Sequence, residues 1–163
     1  MFQKINSSDI DLVMNLQGDE PLMNIEDIRN LNKKMIESSS KLGTLASKIQ
    51  DRTLLENPNV VKVLTKENLN QTNFPEAENF MRNISQEKEN IYHHLGIYSY
   101  NKDTLEKFVS LNQSTNEIKN RLEQLRALDN DIKINVAFAN FNPICVDTVE
   151  DLEAVKKIME NKS

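Results

Sequence analysis

Residues 15 to 21, NLQGDEP, set an amide, a glycine, two carboxylates and a proline directly after an apolar run. The run, IDLVMNLQ, carries Leu12, Val13, Met14 and Leu16 almost without interruption. That pattern predicts a strand buried on both faces, as in a parallel α/β sheet. Open α/β sheets bind ligands at the carboxyl ends of their strands, which is where Gln17, Asp19 and Glu20 fall. Gly18 permits a sharp turn or a close approach. A hard cation such as Mg²⁺ takes one or two carboxylates plus phosphate oxygens, and Asp19 suits that role. The same residues equally suit a strand-to-helix loop with solvated acids. Asp147, between Ile144-Cys145-Val146 and Thr148, carries the same two readings, as a ligand or as part of a helix cap.

A second group lies in YHHLGIYSY, residues 92 to 100. Neighbours on a strand face opposite ways, so one of His93 and His94 points inward. A histidine metal centre is excluded as a reading: the chain has two His in all, and Cys145 has no thiol partner. Tyr98 shares a face with His94. An imidazole and a phenol there could bind a sugar hydroxyl or a carboxylate, or could be half-buried packing. A third group is Glu117, Asn120, Glu123 and Gln124, polar positions beside the apolar stripe Ile118, Leu122 and Leu125.

The elements that must position these groups alternate in type. A helix starts at Asn24, with Asp27 completing a capping-box-like pair and Ile25, Ile28, Leu31 and Met35 inward. GTLASKI predicts a strand, as does Val60–Leu64 after the Asn57-Pro58-Asn59 turn. Residues 65 to 90 are polar and read as irregular. Helices follow over Thr104–Leu111 and, from Ser114, over one long segment, STNEIKNRLEQLRALDN. Ile132–Ala139 is a strand, and a last helix turns Val149, Leu152, Val155 and Ile158 inward. This alternation predicts an α/β fold in a single domain spanning residues 1–163.

At 163 residues, 38% hydrophobic and 28% charged, the composition is that of a globular chain. The net charge of −5, with Lys and Arg scattered, argues against a nucleic-acid surface. No apolar run is long enough to span a bilayer, no signal-peptide pattern follows Met1, and one cysteine fits a reducing compartment. A cytoplasmic location is the expectation. The three glycines, Gly18, Gly43 and Gly96, are too far apart to build a phosphate-binding loop.

In order, NLQGDEP, NPNVVKVL, HHLGIYSY, RLEQLRALDN and VDTVEDLEAV resemble the 3-deoxy-manno-octulosonate (Kdo) cytidylyltransferases, or CMP-Kdo synthetases. QGDEP is shared with other sugar nucleotidyltransferases; HLGIY followed by LEQLR and VDT-x-EDL is more specific. The resemblance implies a Rossmann-like nucleotidyltransferase fold and a cytoplasmic homodimer that joins Kdo to CMP from CTP, for lipopolysaccharide synthesis. It implies Asp19 and Asp147 as Mg²⁺ ligands, Gln17 as a substrate-site residue, and His94, Tyr98, Glu123 and Gln124 as the lining of the Kdo site. Arg82, in NFMRNI, matches an arginine of a Phe-x-Arg segment in a stretch that otherwise differs.

Departures accompany the match. Asn120 stands where the family has a glutamate, Val149 replaces a proline, and residues 65 to 90 lack the family's Ile-Pro pattern. The basic, Ser- and Gly-containing loop that grips the CTP triphosphate in the family has no counterpart here. The expectation is therefore roughly the carboxy-terminal two-thirds of a Rossmann-like domain. Two functions fit it: a cytidylyltransferase whose isolated chain is inactive, or a non-catalytic sugar-binding or dimerisation module.

Overall fold

The computed structural model describes residues 10–18, 20–84, 89–141, 146 and 148–160. Its axis is β5 (Ile91–Asn101), a long strand of β-branched and aromatic residues. Along one edge of β5 runs β2 (Leu42–Ser47), antiparallel from Leu42↔Tyr100 to Ser47↔His93. The other edge is shared. β3 (Lys62–Thr65) pairs with its start, Lys62↔His93 to Leu64↔Ile91, and β1 (Leu12–Asn15) with its end, Leu12↔Asn101 to Asn15↔Tyr98. Outside β3 lies β4 (Ala77–Met81), antiparallel, and outside β2 lies β6 (Asn135–Phe138), parallel. The approach to β4 crosses to β6, where Ala77 N–H donates to Ile134 O at 2.7 Å and Val136 N–H to Pro75 O at 2.8 Å. The two ends of the sheet thus meet.

Several expectations change here. The sheet is mixed, with β2–β6 its parallel pair, and β1 is antiparallel and half-buried rather than enclosed on both faces. Residues 65 to 90, read as irregular for their polarity, contain β4. It gives no period-two signal: Glu78 and Asn79 are both exposed between the buried Ala77 and Phe80, and the pairing with β3 shifts register there.

On one face packs α1 (Ile25–Ser38), whose Leu31 and Met35 meet Leu45, Leu95, Ile97, Ala137 and Ala139. Gly43 allows this approach, because a Cβ there would lie 2.6 Å from Met35 Sδ. Asn24 caps α1, accepting from the Glu26 and Asp27 N–H groups. Asp27 does not complete a capping box: its buried carboxylate instead accepts from Asn140 N–H and Nδ2 beyond β6. After β2, the short α2 (Arg52–Glu56) leads into the Asn57-Pro58 turn. On the other face, α3 (Lys102–Ser110), α4 (Thr115–Asn120) and α5 (Leu125–Asp129) bring Phe108, Leu122, Leu125 and Ala127 to Val63, Phe80, Tyr92, Tyr98 and Tyr100.

The long helix expected from Ser114 is two helices. Arg121 takes the left-handed conformation, φ 53°, and ends α4. The cause is the pair Glu117–Arg126, at 2.8 Å to Nε and 2.6 Å to Nη2. Nine residues of unbroken helix would separate the two by ~13 Å along the axis. The break also removes Ile118 from the apolar stripe, leaving it 61% exposed, while Leu122 and Leu125 are buried as expected. In α6 (Val149–Glu160), Val155 is buried, but Val149 and Leu152 are exposed rather than inward.

Glu117 accepts from Arg126 and from the Ser114 N–H, and these bonds, Arg126 first, hold its pKa down at about 2. Because the folded value is depressed, the stabilisation is present above the unfolded value of about 4.3 and is lost as pH falls towards 2. Glu117→Gln, which leaves a nearly buried guanidinium without its partner, is expected to cost about 3 kcal/mol in denaturant unfolding at pH 7. The difference from the parent should shrink below pH 4; a difference independent of pH would show that the pair is not what closes this turn.

Candidate functional site

Where β1 and β3 leave the shared edge of β5, the sheet forks, and the gap opens at Gly96. The loop after β1 fills it. Gly96 N–H donates to Glu20 Oε1 at 3.2 Å, so a side chain replaces the missing strand as acceptor. Gln17 lies over the same residue: a Cβ on Gly96 would meet Gln17 Oε1 at 3.1 Å and Cδ at 3.3 Å. The glycine is needed for close approach, not for its dihedral angles, since no glycine has positive φ.

Across the sheet from the gap, β5 bulges against Thr44. The Thr44 hydroxyl, with one proton, lies 2.7 Å from Ile97 O, 3.3 Å from Leu95 O and 2.9 Å from His94 Nε2. Carbonyls only accept, so the hydroxyl proton goes to Ile97 O and His94 Nε2–H donates to Thr44. That leaves Nδ1 as an acceptor. His94 is buried, with Phe80 edge-on at 5.0 Å and Tyr98 at 5.5 Å between ring centroids. Burial, with a smaller contribution from His93, lowers its pKa to about 3. The ring is a neutral hydrogen-bonding group.

Tyr98 continues an aromatic row through Tyr100 to Phe108, which Arg126 covers at 4.8 Å. Burial pushes the Tyr98 phenol well up, and Tyr100, Glu123 and Glu20 add to the effect. Glu20 and Glu123, from loops far apart in the chain, therefore both act on one phenol. Tyr98 and Gln124 are 8% and 7% exposed, yet neither side chain makes a hydrogen bond among the described residues. Two nearly buried polar tips are thus available to a ligand.

Of the residues singled out in the sequence, Gln17 lies over Gly96, His94 packs against Tyr98, Glu123 acts on the Tyr98 phenol, and Gln124 is buried next to Glu123 in the chain. Arg82 is engaged elsewhere: its guanidinium donates to the carbonyls of Pro58, Asn120 and Arg121. Asp19 and Asp147 lie outside the described residues, and so does any geometry of a metal site they would form. Among the described residues, no group of three His, Cys, Asp or Glu could hold a metal ion. Thr44 and Gly96 were not legible as contributors. Thr44 sits in an ordinary strand pattern, and the Gly96 signal, a glycine inside a strand, has many structural causes.

A mixed sheet with helices on both faces is the architecture of a Rossmann-like nucleotidyltransferase fold. A superposable structure is CMP:2-keto-3-deoxy-manno-octonic acid synthetase complexed with CTP, at TM-score 0.83 and 29% identity, covering 99% of this chain and 66% of that one. The family model for cytidylyltransferases matches residues 1–134, and the chain belongs to that family. Similar proteins are the 3-deoxy-manno-octulosonate cytidylyltransferases of Thermodesulfovibrio yellowstonii, 39% identical over 97% of this chain, and of Bartonella tribocorum, 39% identical over 90%. The chain spans 64% and 60% of the lengths of these two relatives.

The neutral His94 has a testable signature. Its ¹⁵N shifts should remain those of an Nε2–H imidazole from pH 8 to below pH 5, whereas an ordinary histidine titrates near 6.5. Since the folded pKa is lowered, His94 stabilises fully above about 6.5, and that stabilisation is lost as pH falls towards 3. A ring titrating near 6.5 in the folded protein would overturn the neutral buried ring, and ¹⁵N shifts of an Nδ1–H tautomer would remove the Thr44 assignment.

Proposed function

We propose that the chain carries the sugar-acid side of a 3-deoxy-manno-octulosonate cytidylyltransferase, which forms CMP-Kdo and pyrophosphate from CTP and Kdo. The observation that carries this reading is the cluster of neutral, nearly buried polar tips at the fork, within a chain of this family. A sugar presents hydroxyls that both donate and accept. His94 Nδ1 accepts, Tyr98 Oη donates, and the Gln17 and Gln124 amides do both. Glu123, exposed beside them, suits a sugar hydroxyl as acceptor. These groups orient Kdo so that its anomeric oxygen faces the α-phosphorus, where the new P–O bond forms as the bond to pyrophosphate breaks. Asp19 and Asp147 are the residues that would hold Mg²⁺, and their all-oxygen chemistry fits that ion. When bound, the ion would neutralise charge on the phosphate oxygens. The reading includes a homodimer in the cytoplasm, for which the exposed Val149, Leu152 and Met159 of α6 offer an apolar strip.

Binding and turnover test the proposal separately. By calorimetry, Gln124→Ala should weaken Kdo binding about tenfold, the value of roughly one hydrogen bond to a nearly buried group. Unchanged affinity would remove Gln124 from the site. Turnover is read as pyrophosphate release from CTP with Kdo and Mg²⁺. These 163 residues hold no glycine-rich or basic loop to grip a triphosphate. The chain alone is therefore expected to be silent and to gain activity when a relative's amino-terminal segment is added. Comparable turnover by the bare chain would reveal a triphosphate site within it.

A further inference from the structure

Lys62 heads the fully buried side chains of the described residues, at 0% exposure. It begins β3, opposite His93. A buried ammonium is costly unless its protons are bonded, and a hydrophobic residue would fill the same strand position more cheaply. Among the described residues Lys62 meets no carboxylate. Its Nζ donates to Asn57 O at 2.6 Å and to Arg82 O at 2.8 Å. Burial, and then the charge of Arg82, lower its pKa.

Arg82 extends the pattern. Its Nη1 donates to Pro58 O at 3.2 Å, its Nε to Asn120 O at 3.3 Å and its Nη2 to Arg121 O at 3.2 Å. The last two are carbonyls at the end of α4, where a helix leaves acceptors without intrahelical donors. Two adjacent cations thus serve five main-chain carbonyls. They tie the Asn57-Pro58 turn, the exit of β4 and the left-handed turn at Arg121. The next residues are Leu122, then Glu123 and Gln124.

We infer that Lys62 and Arg82 are positioning residues, a two-cation brace that sets the α4–α5 turn and thereby the Glu123 and Gln124 side chains at the crevice. Lys62 is wholly enclosed and touches no ligand; its effect passes through Arg82 and the turn. Only the consequence for sugar binding rests on the function proposed above. The brace itself is read without any sugar.

The experiment is amide hydrogen exchange by NMR on the full chain, parent against Lys62→Met and Arg82→Met, with Kdo titrations of the same proteins. The amides of Leu122, Leu125, Arg126 and Ala127, which close this turn, report on it. They are expected to exchange at least tenfold faster in both variants, while the β2–β5 amides keep their parent rates. Kdo affinity should fall about tenfold in each, and Lys62→Met combined with Gln124→Ala should lose little more than Gln124→Ala alone. Unchanged turn amides overturn the brace; so does faster exchange spread evenly over the sheet, which marks Lys62 as general core support. If Lys62→Met does not fold, the half-buried Arg82 carries the same test. Weakened Kdo binding in Arg82→Met with undisturbed turn amides would make Arg82 a direct ligand and refute the inference. A parent that binds no Kdo would sink the proposed function, and the exchange rates would still decide the brace.

Discussion

The Gly96 N–H sits on the one stretch of β5 edge that neither β1 nor β3 covers. A backbone donor left there without an acceptor would cost roughly 1–3 kcal/mol. Glu20 supplies the acceptor, and doing so fixes the loop that follows β1. Gln17 lies above Gly96, a residue with no Cβ. The site follows from this constraint. A sheet whose edge is shared by two strands must fork, and the fork is both the topological opening and the point where loop side chains reach the strand.

Charge is sorted around the fork. Glu20 and Glu123 act on Tyr98, while His94 is kept neutral by burial. Lys62 and Arg82 face carbonyls, and Arg126 faces Glu117 and the Phe108 ring. Neutral donors and acceptors therefore face the fork, and the neighbouring cations are bonded to main-chain carbonyls and to Glu117.

Legibility in the sequence followed the range of the interactions. Local signals read correctly: the Asn24 and Ser114 caps, the β5 alternation that buries His94, and the apolar stripe of α1 at Ile28, Leu31 and Met35, although Ile25, which the same spacing includes, is 63% exposed. The α4–α5 break did not, because its cause is a pair nine residues apart that helical periodicity ignores. β4 was hidden since an edge strand with two exposed polar residues resembles a loop until β3 lies beside it. The antiparallel setting of β1 was hidden too, as a short apolar run carries no direction. Around the fork, residue types single out Gln17, His94, Tyr98 and Gln124 as candidates, whereas Lys62 and Thr44 bond main-chain carbonyls, which leave no pattern in a sequence.

The same distinction explains Arg82. Its type and the motif around it suggest a ligand for an acid, yet a guanidinium serves a carboxylate and a helix-end carbonyl with the same N–H fork. What decides between them is supply. The end of α4 offers Asn120 O and Arg121 O at 3.2–3.3 Å, and the neighbouring turn offers Pro58 O. Lys62 holds the Arg82 carbonyl, which places the side chain's root between those acceptors. A cation anchored at both its main chain and its head is committed to the scaffold, which leaves the recognition proposed above to the neutral groups.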